Sequence, residues 1–185
     1  MSSILKVSEI QDPTNGNSAL TVDSSGNVTA PQRLTYDGHF ISLSKNGNQS
    51  ISDSTLTQVT TWTVEGSSGL SWDSTDNEID VAVAGAYFVN FQCQVYSNSN
   101  NLRQLYLHIF KNGSKYSGSY NLIGQTASDL DFRHYTANVS NIIPLAANDT
   151  LEFHVYVTGS APFVFDGDSS GGEKSTNVSM FRVGN

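Results

Sequence analysis

The stretch "IDVAVAGAYFVNFQCQVY", residues 79–96, decides how the rest of the chain is read. Apolar side chains stand at Ile79, Val81 and Val83, then at Tyr87, Val89, Phe91, Cys93 and Val95, on either side of the small pair Ala84-Gly85. A period of two marks a strand with one face buried. The opposite phase of the second half holds Phe88, Asn90, Gln92, Gln94 and Tyr96. These residues predict two strands joined by a short turn, with one face in a core and the other made of aromatics and amides.

Working outward, the same alternation recurs. Leu105, Leu107 and Ile109 alternate with Tyr106, His108 and Phe110, and Leu151, Phe153, Val155 and Val157 with Glu152, His154 and Tyr156. Strands are expected over 40–44, 57–64, 70–73, 78–83, 86–96, 102–111, 115–120, 131–139, 151–158 and 178–183. "KNG" at 45–47 and 111–113 is a hairpin signal, because Asn-Gly supplies the left-handed backbone of a tight turn. No segment has a convincing helical period. Ten short strands with such turns predict an all-β fold, a jelly-roll β-sandwich or a barrel.

Of 185 residues only 14% are charged, and Lys and Arg number nine against seventeen Asp and Glu. A net charge of -8 with no basic cluster argues against a nucleic-acid partner. The acidic balance also discourages binding to anionic membranes, and no stretch is apolar enough to span a bilayer. The start "MSSILKVSEIQ" lacks a basic region followed by an apolar run, so no signal peptide and no secretion are expected. Cys93 is the one cysteine, at a core-phase position, and reads as a buried thiol.

Residues 1–35 differ from the rest. Two short extended pieces, 5–10 and 19–22, are separated by the turn-forming runs "DPTNGN" and "DSSGN". Such a segment is too small for its own core, yet Leu5, Val7, Ile10, Leu20 and Val22 would be wasted in a solvated tail. The expectation is an extended N-terminal attachment arm at 1–35 and a jelly-roll domain at 36–185.

The second faces of the strands carry the next clue. Asn90, Gln92 and Gln94, Tyr106 and His108, and His154 and Tyr156 occupy positions where solvated strands place Lys, Glu and Thr. Aromatics enriched and charges depleted describe a protein interface, so these seven are the candidates for subunit contact. Which face meets a neighbour is open at this point.

The order of these signals resembles complement component 1q-like domains, relatives of the tumour necrosis factor-like jelly roll. The centre "IDVAVAGAYFVNFQCQV", the strand "LYLHIFKNG", the pair "NVSNIIPLAANDTLEFHVYV" and the closing "VSMFRV" carry the resemblance across about 38–183. Two positions depart from the pattern. Asn148 stands where the family has Gly, although Asn tolerates left-handed backbone, and "MFRV" replaces the usual "FSG". The resemblance implies a ten-stranded sandwich that assembles as a homotrimer. A second resemblance, in "ILKVSEIQD…ALTVDSSGNVT", is to the opening of virion appendage proteins of tailed phages, especially marine and cyanobacterial ones. It implies an arm attached to the virion, with the jelly roll projecting outward.

Enzyme chemistry is hard to assemble. His39, His108, His134 and His154 lack metal-ligand spacing. No G-x-S-x-G occurs, and no pair of carboxylates can be placed for glycoside hydrolysis. Neither catalytic residues nor a cofactor is expected. The acidic loops holding Asp73 and Asp76, and Asp166 and Asp168, are weak calcium candidates, because their spacing misses that of a calcium loop. Trp62 and Trp72, near such loops, are candidates for stacking on a sugar.

The expected function is therefore that of a phage virion structural protein. It would be a trimeric capsid decoration, head-fibre or knob protein whose arm docks on a major capsid or tail protein. The alternative is the tip of a tail fibre that binds host surface glycan through Trp62, Trp72, Asp166 and Asp168. A polysaccharide hydrolase is a distant third.

Overall fold

The computed structural model describes residues 9–11, 18–22, 24–25, 28–29, 38–98, 101–123, 133–166 and 174–184. The chain divides into two compact units, Met1–Asp37 and Gly38–Asn185. In the first, β1 (Glu9–Gln11), β2 (Ser18–Val22) and β3 (Val28–Thr29) form one antiparallel sheet in that order. Ile10 lies opposite Leu20 and Val22 opposite Val28, so the expected extended pieces pair with each other and a third strand joins them. Leu5 and Val7 lie outside the described residues.

Among the described residues, the regular elements of the second unit are all strands. Along the chain come β4 (Phe40–Lys45), β5 (Gln49–Ser50), β6 (Thr55–Gln58), β7 (Trp62–Ser68), β8 (Leu70–Asp73) and β9 (Glu78–Val81). Then follow β10 (Gly85–Ser97), β11 (Gln104–Lys111), β12 (Ser114–Leu122), β13 (His134–Leu145), β14 (Thr150–Thr158), β15 (Pro162–Phe165) and β16 (Asn177–Gly184). They form two sheets, the two layers of a jelly roll. Among the described residues there is no helix long and apolar enough to cross a membrane.

The first sheet is built on β10. One edge of β10 pairs with β13 over its whole length, from Gly85 opposite Leu145 to Tyr96 opposite His134. The other edge is shared: β16 covers Ala86 to Gln92 and β15 covers Gln94 to Ser97. Thus β15 and β16 lie end to end along one edge of β10, as one strand line with a gap between Phe165 and Asn177. Thr176 closes the gap, since its hydroxyl donates to the Phe165 carbonyl (2.7 Å) and accepts the Gln94 N–H (2.9 Å). Beyond them β4 pairs with β16, β5 with β15, and β7 with β4.

In the second sheet β11 lies between β12 and β14. The far edge of β14 is shared by β6 and β9, and β8 lies outside β9.

The core lies between the layers. Tyr87, Val89, Phe91, Cys93 and Val95 of β10 are buried, as are Leu105, Leu107 and Ile109 of β11 and Leu151, Phe153, Val155 and Val157 of β14. Each such side chain contributes about 1.5–3 kcal/mol by leaving water. Burial pushes the Cys93 thiol up to about 12, so it packs as a small apolar group.

Three expectations need correction. The strand expected over 57–64 is two strands, because Thr61 takes a left-handed φ of 60°. The break resets the phase, so Val59 and Trp62 both face the core although they are three residues apart. The two "KNG" turns differ. Asn112 and Gly113 have φ of 51° and 71° and join β11 to β12 as a hairpin. Asn46-Gly47 does not reverse the chain, because β4 and β5 both run antiparallel to the β15–β16 line. There the Lys45 ammonium donates to the carbonyls of Asn46 (3.3 Å) and Gly47 (2.8 Å) and to the Thr61 hydroxyl (3.2 Å). Finally, β5 and β15 appear where no strand was expected.

Candidate functional site

The register of the first sheet assembles its outward face in rows. Ile142, Phe88, Phe181 and Phe40 form the first. Ser140, Asn90, Ser179 and Ser42 form the second, and Asn138, Gln92, Asn177 and Ser44 the third. Thr136, Gln94 and Phe165 follow, and then His134, Tyr96 and Phe163. No Asp, Glu, Lys or Arg stands in these rows. An ion pair, Glu65–Lys174, borders the third row beside Ser44.

Apolar surface concentrates at the two ends of this face. At one end Phe88 lies against Phe181, ring centroids 5.2 Å apart, and Ile142, Phe40 and Phe181 are exposed. At the other, Tyr96 contacts Phe163 at 4.8 Å and His134 at 4.4 Å. Amides and hydroxyls fill the centre, where Gln92 donates to the Ser175 carbonyl (3.0 Å). Exposed apolar surface without charge is the composition of an interface core.

Tyr106, His108, His154 and Tyr156 lie on the other sheet. The structure therefore distributes the seven candidate contact residues over the two opposite outward faces. On this second face Tyr106 stacks on Tyr156 (5.3 Å, 16°) and Phe110 on His154 (4.1 Å, 27°). The His154 Nε2 lies 2.9 Å from a Glu152 oxygen. His108 is only 3% exposed. Burial, then the charges of Lys115 and His154, lower its pKa to about 4, so it is neutral at neutral pH. Its Nδ1 is buried without a hydrogen-bond partner among the described residues, and a Cβ at Gly118 would collide with that atom. Only glycine therefore fits opposite His108.

The remaining candidates separate. Trp62 is buried and makes edge contacts with Trp72, Phe91 and Phe153 at 6.2–6.4 Å, while its indole N–H donates to the Val59 carbonyl (2.9 Å). It is a core residue and cannot stack on a sugar. Trp72 is half-buried against the same core. Asp73 caps its own turn: its carboxylate accepts the N–H of Thr75 (2.6 Å) and Asp76 (3.4 Å), and these bonds hold its pKa below the usual carboxylate range. The Asp166 main-chain N–H donates to Asn48 Oδ1 (3.2 Å), and Asp168 lies outside the described residues. Among the described residues no three His, Cys, Asp or Glu side chains converge on a metal site.

Sequence reasoning missed Phe40, Ile142, Phe163, Phe165 and Phe181. Each completes a row only through cross-strand register, which alternation within one strand does not reveal.

Two of the solved structures that share this architecture illustrate the likeness. Eiger TNF from S. frugiperda superposes with a TM-score of 0.56 at 12% identity, covering 80% of this chain and 94% of that one. Murine APRIL, from a crystal structure at pH 5.0, superposes with a TM-score of 0.55 at 10% identity, covering 79% and 99%. The fold is thus a tumour necrosis factor-like jelly roll. No protein-family model matches the chain, and no curated protein does.

Proposed function

We propose that the chain is a structural display protein of a phage virion, a homotrimeric decoration or knob protein carried by its N-terminal unit. The observation that carries the assembly half is the outward face of the first sheet, whose five rows hold no charged side chain and which exposes Phe40, Ile142 and Phe181 at one end, with the paired Glu65 and Lys174 at its border. Burying that face against copies of itself removes the exposed apolar surface without stranding a charge. The tumour necrosis factor-like fold supports three copies, through the homotrimer that the resemblance implies.

The virion half rests on the sequence of residues 1–35. Strand addition to a capsid or tail protein would use an outer edge of β1 or β3, because β2 is paired on both sides. Three linked units would gain attachment strength by effective concentration. No catalytic role is assigned. A cryo-EM reconstruction of the particle carrying this protein tests the reading. Trimeric knobs on the capsid or tail, joined through residues 1–37, are expected. Particles without such density would overturn it.

A further inference from the structure

At one end of the second sheet, Asp53, Asn101, Arg103, Thr158, Gly159 and Ser160 enclose a shallow cleft of about 230 Å³. Hydrogen bonds set its walls. Asp53 Oδ1 accepts the Gly159 N–H (2.9 Å). Asn101 Oδ1 accepts the Ser160 N–H (2.8 Å) and the hydroxyl of buried Ser97 (3.0 Å), while its Nδ2 donates to the Ser160 hydroxyl (2.5 Å). The Thr158 hydroxyl donates to Gln104 Oε1 (3.2 Å).

Asp53 and Arg103 line this cleft without forming an ion pair, and the Arg103 guanidinium makes no hydrogen bond or ion pair among the described residues. A carboxylate only accepts and a guanidinium only donates. A ligand that satisfies both must donate on one side and accept on the other. A sugar hydroxyl does both, and a ring with neighbouring hydroxyls does so at two adjacent points. The lining is polar, which disfavours a purely apolar ligand.

The tyrosines do not line the cleft but follow it along β11 and β14. Tyr156 precedes Thr158 by two residues and shares its face of β14. It stacks on Tyr106, which meets Tyr120 at 4.8 Å and 62°. Tyr120 is 63% exposed. The phenol oxygens of Tyr106 and Tyr156 make no hydrogen bond among the described residues. An amphipathic ring with a free hydroxyl suits the mixed surface of a sugar. We infer that the Asp53–Arg103 cleft and the adjoining tyrosines bind an uncharged glycan, with one ring's hydroxyls in the cleft and a neighbouring ring against the tyrosines. The site lies within one chain and does not depend on the trimer or on virion attachment.

The test applies the full chain to an array of neutral, sialylated and sulfated oligosaccharides. Asp53→Asn, which keeps the acceptor for Gly159 but turns the other oxygen into a donor, and Arg103→Gln are compared with Asp76→Asn, and thermal melting confirms that all are folded. Binding to neutral glycans is expected, with affinity at least tenfold weaker in the first two variants and unchanged in the third. No retention of neutral glycans, binding confined to sialylated or sulfated ones, or full affinity in both cleft variants would overturn the inference.

Discussion

Phe88 and Phe181 face each other across the antiparallel β10–β16 pair, with ring centroids 5.2 Å apart, on a sheet face without a charged row. Phe181 is 38% exposed although it sits mid-sheet between β10 and β4. A lone solvated phenylalanine needs no explanation. A row in which Ile142, Phe88, Phe181 and Phe40 follow one another does, and contact with another copy of the chain supplies one.

The core predicts a large cost for losing Trp62. It touches Trp72, Phe91 and Phe153 and spends its N–H on Val59. Trp62→Ala should destabilise the domain by about 3–5 kcal/mol, read by urea denaturation. A loss under about 1 kcal/mol would mean that the ring does not bridge the two layers.

Asn148 offers a backbone test. Its φ is 69°, its N–H donates to the Val81 carbonyl (2.8 Å), and it opens the turn into β14. Asn148→Gly should leave stability within about 1 kcal/mol, since glycine adopts this conformation freely. Asn148→Val should cost on the order of 1–3 kcal/mol, because a β-branched residue is strained there. Equal effects would contradict a left-handed turn.

His108 sets an acid dependence. Its folded pKa, about 4, lies below the ordinary value of 6.5. Between those two pH values the unfolded chain takes up a proton that the folded one refuses, so stability falls as pH drops through this window and the group adds no further loss below it. The contribution is on the order of 2–3 kcal/mol. Denaturation at pH 7 and pH 4.5 should show a smaller acid loss for His108→Gln than for the native chain. Equal losses would mean that His108 is solvated.

Removal of residues 1–37 should separate the two roles. The jelly roll should keep its fold and its self-association, while attachment to particles should be lost. Co-sedimentation with particles lacking the protein reads the second. Truncated protein that still sediments with them would place attachment in the jelly roll.

Much of the fold is legible in the sequence because β10, β11 and β14 alternate without interruption, and alternation reports burial directly. Asn112-Gly113 announces its hairpin by the same local chemistry. The split at Thr61 is not legible, since nothing in "TQVTTW" marks a threonine held in left-handed backbone by the fold around it. Likewise β5 is two residues long and β15 begins at Pro162, so neither is long enough to display a period. The candidate contact residues were recognisable by type, but their division between two faces depends on sheet membership, which is a long-range property. The Asp53–Arg103 cleft joins three separated segments and has no local signature.

The central claim is self-association through the first sheet, and the mass of the chain in solution tests it most directly. Sedimentation equilibrium should give three times the 20.0 kDa chain mass for the native protein and a single chain mass for a folded Phe181→Asp variant, whose carboxylate the contact would have to bury unpaired. A native protein that sediments as one chain at micromolar concentration, or a variant that remains trimeric, would contradict the account.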